Sequence, residues 1–110
     1  MKVTFVKKIK LDGSPCRKCI EVDDRLNSAG LMTRIDRVVI ADERDASSEG
    51  MRLAAERGVD AAPFFIVDDG GKETVYTSYI KLLKEVLETK TTEEEEAKDI
   101  LARNDDLDFL

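Results

Sequence analysis

The order in which apolar patterns follow one another along the chain constrains its fold more than any other feature. Runs rich in β-branched and aromatic residues occupy positions 2–9, 34–41 and 64–67, and such runs are typical of strands. Between these runs, apolar residues recur at steps of three and four, which is typical of helices that bury one face. A further short run at 73–76 follows a polar turn, so the sequence predicts the order βαβαββα.

Capping residues predict where the first two helices begin and end. Ser14 is predicted to cap the first helix with Pro15 in its first turn, because a proline there loses no hydrogen bond. Gly30 is predicted to end this helix. Either Asp45 or Ser47 is expected to cap the second helix.

Two glycines predict a hairpin near the end of the domain. Gly70 and Gly71 follow two aspartates and precede the run at 73–76, as in a tight turn between antiparallel strands. Helical spacing then resumes with apolar residues that are predicted to form one face, namely Ile80, Leu83, Val86 and Leu87.

Composition narrows the classes of protein to which the chain belongs. Its 110 residues, 42% of them hydrophobic, suit one compact domain. Residues 1–40 carry nine Lys/Arg and five Asp/Glu, so the remaining 70 hold nine and nineteen, for a total of −6. This acid-rich total argues against nucleic acid as a partner. Because no apolar stretch resembles a signal peptide or a membrane span, we expect a cytoplasmic protein without a membrane partner.

Both cysteines of the chain lie three residues apart, as Cys16 and Cys19. Positions three apart on a helix have Cβ atoms roughly 5–6 Å apart, which permits a disulfide after small side-chain adjustment. In a reducing compartment such a pair is seldom a structural disulfide. A redox centre is therefore predicted, with Cys16 at a helix N-terminus, where a thiol pKa is lowered.

Two other interpretations of the pair remain open at this point. The chain could be a binding or adaptor module that uses the cysteines as a redox sensor and has a specific protein partner. The pair could also supply half of a zinc or iron–sulfur site. Because the chain has no histidine, the other metal ligands would have to be carboxylates, glutathione or a second subunit. The leading expectation is that the protein binds no metal and no cofactor.

With a first strand before Cys16-Arg17-Lys18-Cys19 and Ala62-Pro63 before the third strand, the chain resembles the thioredoxin and glutaredoxin superfamily over residues 1–88. The stretch at 54–65, with its Gly-Val turn, is similar to the corresponding part of thioredoxins. The resemblance implies an α/β, thioredoxin-like three-layer fold with a mixed four-stranded sheet. It also implies thiol–disulfide exchange with a protein disulfide substrate or a reductase.

The resemblance assigns roles to residues of this chain. It implies that Cys16 attacks and Cys19 resolves the mixed disulfide, and that Pro63 is cis and lies beside the cysteines. The backbone of Ala62 would bind an extended substrate segment. The residues around the cysteines complete the expected substrate-binding set, namely Pro15, Arg17 and Lys18.

The chain departs from both branches of this superfamily. Thioredoxins have Trp-Cys-Gly-Pro-Cys and a buried acidic residue under the site, whereas this chain has no tryptophan and has Lys10 at the corresponding distance before Cys16. Glutaredoxins have Gly-Gly with an acidic pair after the fourth strand, where this chain has Thr77-Ser78-Tyr79. This last difference argues against glutathione as a ligand and leaves the branch open.

The chain ends in an acid-rich segment. Residues 89–92 are predicted to be a linker, and Thr92 with Glu95 predicts a capping box for a further helix. We therefore expect two parts, a thioredoxin-like domain at 1–88 and a partly helical acidic extension at 89–110.

Overall fold

The computed structural model describes residues 1–87, and within them the predicted order βαβαββα is confirmed. The strands are β1 (Lys2–Ile9), β2 (Arg37–Asp42), β3 (Phe64–Asp69) and β4 (Lys72–Tyr76). The helices are α1 (Arg17–Ser28), α2 (Glu49–Arg57) and α3 (Tyr79–Glu85). The predicted linker and acidic helix at 89–110 lie outside the described residues.

The chain divides into two compact units. The first, Met1–Thr77, contains all four described strands together with α1 and α2. The second, Ser78–Leu110, begins with α3, where the Ser78 hydroxyl oxygen accepts a hydrogen bond from the Lys81 backbone N–H at 3.2 Å. Both cysteines belong to the first unit.

The four strands form one mixed sheet in the order β2-β1-β3-β4. β1 is parallel to β2 and antiparallel to β3, and β4 is antiparallel to β3. A parallel pair needs a crossover connection, which α1 provides, whereas a tight hairpin suffices for the antiparallel β3 and β4. The α/β order predicted from the apolar pattern and the mixed four-stranded sheet implied by the family resemblance are therefore confirmed.

Apolar side chains fill both faces of the central strands. On one face, five buried residues form a cluster against which side chains of α2 pack, namely Val6, Val39, Ala41, Phe64 and Ile66. On the other face, the rings of Phe5 and Phe65 stack with centroids 4.8 Å apart. Side chains alternate between the faces of a strand, so the nearly continuous apolar runs of β1 and β3 supply both faces.

Polar contacts fix α2 to the rest of the first unit. Arg57, near the end of α2, forms a bidentate ion pair with Glu73 of β4, with N–O distances of 2.9 and 2.8 Å. Its Nη1 also donates to the Leu53 carbonyl at 3.2 Å. Because the Arg57 side chain is 20% exposed and two of its N–H groups reach both carboxylate oxygens of Glu73, this pair holds α2 beside β4.

The start of α1 differs from the prediction. The helix begins at Arg17 with Cys16 as its N-cap, so the predicted cap at Ser14 and the predicted helical position of Pro15 are wrong. Pro15 instead forms a β-bridge with Ile9. The Ser14 hydroxyl donates to Asp12 at 2.6 Å. The pairing with β1 keeps the chain extended for two further residues.

The starts of β2 and α2 also differ. β2 begins at Arg37 because residues 32–34 form a turn of 3-10 helix, and the α2 cap is Ser48 instead of Asp45 or Ser47. The Ser48 hydroxyl accepts the backbone N–H of Asp42 at 3.0 Å, while Asp45 accepts the N–H and hydroxyl of Ser47. These side chains are therefore used within the β2–α2 loop.

The glycine predictions are confirmed. α1 ends at Ser28, and Gly30 adopts φ +69° two residues later. Gly70 and Gly71 form the turn between β3 and β4 with φ +61° and +92°, a conformation that favours glycine. Among residues 1–87, no helix has the length and apolar character required to cross a membrane.

Candidate functional site

The backbone of Lys8 positions both cysteines. Its carbonyl accepts the N–H of Cys16 at 2.9 Å, and its own N–H donates to Cys19 Sγ at 3.3 Å. Lys8 lies near the carboxyl end of β1, so the strand holds the first turn of α1 through two main-chain contacts. The cysteine pair is therefore held by β1 and the start of α1, although it lies next to a loop.

The two thiols differ in their access to solvent. Both cysteines are free; Cys16 is half-buried and Cys19 is 2% exposed. Cys16 is the N-cap of α1, whereas Cys19 is in the helix and turns into the interior with Leu26. A disulfide or an alkylating reagent in solution can therefore reach the Cys16 sulfur and not the Cys19 sulfur.

A loop distant in sequence completes the site. The Ala62 carbonyl oxygen lies 4.0 Å from Cys16 Sγ, although the two residues are 46 positions apart. The peptide bond between Ala62 and Pro63 is cis, as the family resemblance implies, and Pro63 is buried at the start of β3. Since β3 pairs with β1, the residues just before β3 lie beside the residues that follow β1.

The surroundings of Cys16 favour its thiolate. A hydrogen bond from the Cys19 side chain lowers the pKa of Cys16 most, with further contributions from the backbone N–H groups of Cys19 and Lys18 and from the charge of Lys8. Burial opposes them, and the resulting pKa is about 6 against an ordinary 9.0. The same hydrogen bond, together with burial, raises the pKa of Cys19. At neutral pH, Cys16 therefore favours the thiolate and Cys19 the protonated thiol.

Alkylation of Cys16 by iodoacetamide is expected to reach half its maximal rate near pH 6 in the reduced protein, since only the thiolate reacts. In Cys19→Ala the main stabilising hydrogen bond is lost, so the midpoint should move up toward 9.0. The measurement is the rate of modification at Cys16, followed by mass spectrometry across pH. A midpoint near 9.0 in the unaltered protein would contradict the assignment.

The lowered pKa of Cys16 also makes the stability of the reduced protein depend on pH. Its folded pKa of about 6 lies below the ordinary value of 9.0 that applies to the unfolded chain. The contribution of Cys16 is therefore fully present above pH 9 and is lost as the pH falls through 6. The raised pKa of Cys19 has the opposite effect on stability. It destabilises the folded protein at pH values at which the unfolded chain ionises this thiol.

The other predicted site residues lie around this centre. Pro15 and Arg17 are exposed on either side of Cys16, while Lys18 is partly buried in the first turn of α1. The structure therefore brings the predicted cysteines, their neighbours and Ala62 to one place.

Sequence analysis did not identify Lys8 as part of the site. Its contribution is mainly the two main-chain hydrogen bonds described above, and residue type carries no signal for such bonds. A strand residue eight positions before the first cysteine could be selected only once the pairing of β1 was known. Its side chain adds a positive charge that lowers the pKa of both thiols.

A metal centre receives no additional ligands from the described part of the chain. Within residues 1–87, no three or more cysteine, aspartate or glutamate side chains are grouped so that they could hold a metal ion.

The protein is thus a small mixed α/β protein with two free cysteines at the junction of β1 and α1. Comparisons with protein-family models, curated proteins and solved structures found no match to this chain.

Proposed function

We propose that this chain is a thiol–disulfide oxidoreductase with a thioredoxin-like three-layer fold. The observation that carries the proposal is the placement of an accessible, low-pKa Cys16 three residues before a buried Cys19, with the Ala62 carbonyl 4.0 Å from the Cys16 sulfur. A nucleophilic thiol with a second thiol beside it is the arrangement that disulfide exchange requires.

The sheet supports the proposed fold. A parallel β1–β2 pair joined through α1, followed by an antiparallel β3–β4 hairpin on the other side of β1, is a mixed four-stranded sheet of the kind that the family resemblance implies. In that arrangement, the cysteines follow β1 and the Ala62 loop precedes β3. The proposed fold therefore accounts for the meeting of two segments that are far apart in sequence.

The proposed reaction has two exchange steps. The Cys16 thiolate attacks one sulfur of a substrate disulfide, forming a Cys16–substrate disulfide and releasing the other substrate sulfur as a thiolate, which takes up a proton. The Cys19 sulfur then attacks Cys16 Sγ and forms the Cys16–Cys19 disulfide, while the bond between Cys16 and the substrate sulfur breaks; the released thiolate takes up the proton that Cys19 loses. The protein dithiol is oxidised by two electrons, and the substrate disulfide is reduced by the same two.

The environment of each thiol suits its step. The low pKa of Cys16 keeps its sulfur ionised near neutral pH, and its position at the edge of the site leaves room for a substrate sulfur. Burial protects Cys19 from external disulfides until the mixed disulfide places an electrophilic sulfur beside it. We assign Pro15, Arg17, Lys18 and the Ala62–Pro63 segment to substrate binding, because they lie around or against Cys16.

The proposed partner is a protein disulfide or a reductase in the cytoplasm, and the reaction needs no bound cofactor. Glutathione is the less favoured partner, because Gly70 and Gly71 are used by the β3–β4 turn and no Gly-Gly pair follows β4.

Redox titration combined with turnover tests the proposal. The pair is expected to titrate as one two-electron couple, and the oxidised protein should be re-reduced faster by thioredoxin reductase with NADPH than by glutathione at matched electron supply. The potential is read from the alkylated fraction in defined dithiothreitol buffers. If the pair cycles but the protein turns over neither insulin nor a peptide disulfide, a sensing or adaptor role replaces the proposed activity.

A further inference from the structure

We propose that Arg44 is a positioning residue for Cys16, and that it acts by supporting the turn at residues 10–14 that leads into the first cysteine. Arg44 lies in the β2–α2 loop, 28 positions from Cys16 in sequence, and it does not belong to the cysteine motif. The inference rests on the proposed function only in taking Cys16 as the reactive group.

The turn at 10–14 is a compact structure directly upstream of the nucleophile. The Lys10 N–H donates to the Ser14 carbonyl at 2.8 Å, and the Gly13 N–H donates to the Lys10 carbonyl at 2.9 Å. Asp12 accepts both the N–H and the hydroxyl of Ser14. The turn thus returns the chain to the side of β1, where the bridge between Ile9 and Pro15 begins the approach to Cys16.

Asp42 orients the guanidinium of Arg44, a side chain that is 53% exposed. Nε and Nη2 of Arg44 donate to the two carboxylate oxygens of Asp42, each at 2.9 Å, and the Arg44 backbone N–H donates to the same carboxylate at 3.0 Å. A bidentate pair fixes the plane of the guanidinium as well as its position. Asp42 itself is anchored by its own N–H to the Ser48 hydroxyl.

The guanidinium that Asp42 binds lies against Gly13. Arg44 Nη1 is 2.9 Å from the position that a Cβ atom at Gly13 would occupy, so the glycine allows the close approach. Gly13 also adopts φ +85°, a conformation that other residues rarely take. The Glu43 N–H donates to the carbonyl of Ile9, the last residue of β1, at 2.9 Å and so continues the β1–β2 pairing up to the start of the turn. The β2–α2 loop therefore starts beside the turn and reaches it through the Arg44 side chain.

Few contacts separate the turn at residues 10–14 from the sulfur of Cys16. If the turn opens, the bridge at Pro15 and the bond from the Cys16 N–H to the Lys8 carbonyl lose their support. These contacts place Cys16 Sγ where the N–H groups of Lys18 and Cys19 stabilise its thiolate. Loss of the Arg44 contact should therefore reduce the reactivity of a thiol that Arg44 does not touch.

The experiment must separate this effect from the positive charge of Arg44. The charged groups close to the Cys16 segment are Lys8, paired with Glu43 at 3.9 Å, and the flanking Arg17 and Lys18. Arg44→Lys keeps the charge but lacks the planar fork that fits Asp42. Arg44→Ala removes both. Replacement of the exposed Arg34 by alanine is a matched control, because it removes one arginine away from the turn.

Iodoacetamide modification of Cys16 in the full-length reduced protein is the measurement. At pH 6, Arg44→Ala and Arg44→Lys are both expected to react about fivefold more slowly, the change in thiolate fraction for a one-unit rise in a pKa of about 6. Amide exchange at Lys10 and Gly13 should become faster in both variants. Arg34→Ala should match the unaltered protein in both measurements.

Three outcomes would overturn the positioning role of Arg44. These are unchanged alkylation in both Arg44 variants, full recovery in Arg44→Lys, and slow alkylation without faster exchange in the turn. The second would indicate that charge alone acts. If alkylation depends on Arg44 as expected while the unaltered protein reduces no disulfide, the proposed enzyme activity fails and the positioning role stands.

Discussion

Replacement of Cys16 by serine is expected to reduce disulfide reductase activity to the uncatalysed rate while the protein remains folded. The serine hydroxyl does not ionise near neutral pH, so the first exchange step has no nucleophile. Cys16 is only half-buried, and the change removes no large apolar group, so the free energy of unfolding should change little below pH 6, where the thiolate no longer contributes to stability. The measurement is reduction of insulin or of a fluorogenic peptide disulfide with dithiothreitol as the electron source.

Cys19→Ser is the matched variant for this experiment. Its hydroxyl retains a donor beside Cys16, so the first step should proceed and stop at the mixed disulfide. Mass spectrometry should then show one substrate half bound to Cys16, and dithiothreitol should release it. Multiple-turnover activity that survives in Cys16→Ser would exclude the proposed mechanism, and a stable adduct on Cys19 in that variant would reverse the roles of the cysteines.

Gly50→Ala is expected to cause the largest loss of stability of any single methyl addition at a glycine of residues 1–87. A Cβ atom at Gly50 would lie 2.5 Å from Ala41 Cα and 2.5 Å from the Ile40 carbonyl carbon, both in the backbone of β2. Neither atom can move without shifting the sheet. Overpacking of this kind costs about 1–3 kcal/mol or more, and we expect about 3 kcal/mol here. In thermal unfolding, this predicts a decrease in Tm of about 10–20 °C.

The exposed Ala55 in the same helix provides the control. Ala55→Gly removes one methyl group from α2 where it contacts solvent, and it should cost only the helix-propensity difference of about 0.5–1 kcal/mol. At an exposed helical position, a change from glycine to alanine would stabilise the protein by the same amount. A loss of stability in Gly50→Ala would therefore come from packing and not from helix propensity. A Gly50→Ala protein as stable as the unaltered one would contradict the close approach of α2 to β2.

Much of the fold could be predicted because its elements are marked locally. β1 was predicted at its observed bounds, since its apolar run is ended by a turn. The hairpin was predicted from Gly70 and Gly71, because a two-residue turn between antiparallel strands needs positive φ. The family resemblance implied only that the sheet is mixed; the strand order and the directions of the pairs other than this hairpin were not predicted, since apolar spacing does not specify which strands pair.

Helix starts were predicted less well, because several local signals competed. Ser14 and Pro15 satisfy the rules for a cap and a first turn, yet the bridge between Pro15 and Ile9 delays the helix to Arg17. At α2, three neighbouring side chains could cap the helix. Hydrogen bonds within the β2–α2 loop use the side chains of Asp45, Ser47 and Ser48, and the helix starts after Ser48 without a side-chain hydrogen bond at its cap. Contacts outside the helix decided both boundaries.

The candidate site was likewise predicted in part from the sequence, and the rest depended on tertiary contacts. The spacing of Cys16 and Cys19 predicted a redox pair, and the helix start predicted a lowered pKa for the first thiol. The largest cause of that lowering is the hydrogen bond from Cys19, whose strength depends on side-chain geometry. The hydrogen bonds from the Lys8 backbone could not be predicted, because they depend on the return of the chain to β1 at the bridge between Ile9 and Pro15. The approach of Arg44 to Gly13 could not be predicted either, because it follows from the β1–β2 pairing.

The sequence by itself determined the order of the elements and the chemical groups available for reaction. Apolar periodicity and turn signals involve residues that are only a few positions apart, so they can be recognised in the sequence. The tertiary structure alone decided which atoms surround the Cys16 sulfur, because that environment is made of groups brought from β1, from the first turn of α1 and from the residues before β3. Their placement depends on strand register, which no local pattern specifies.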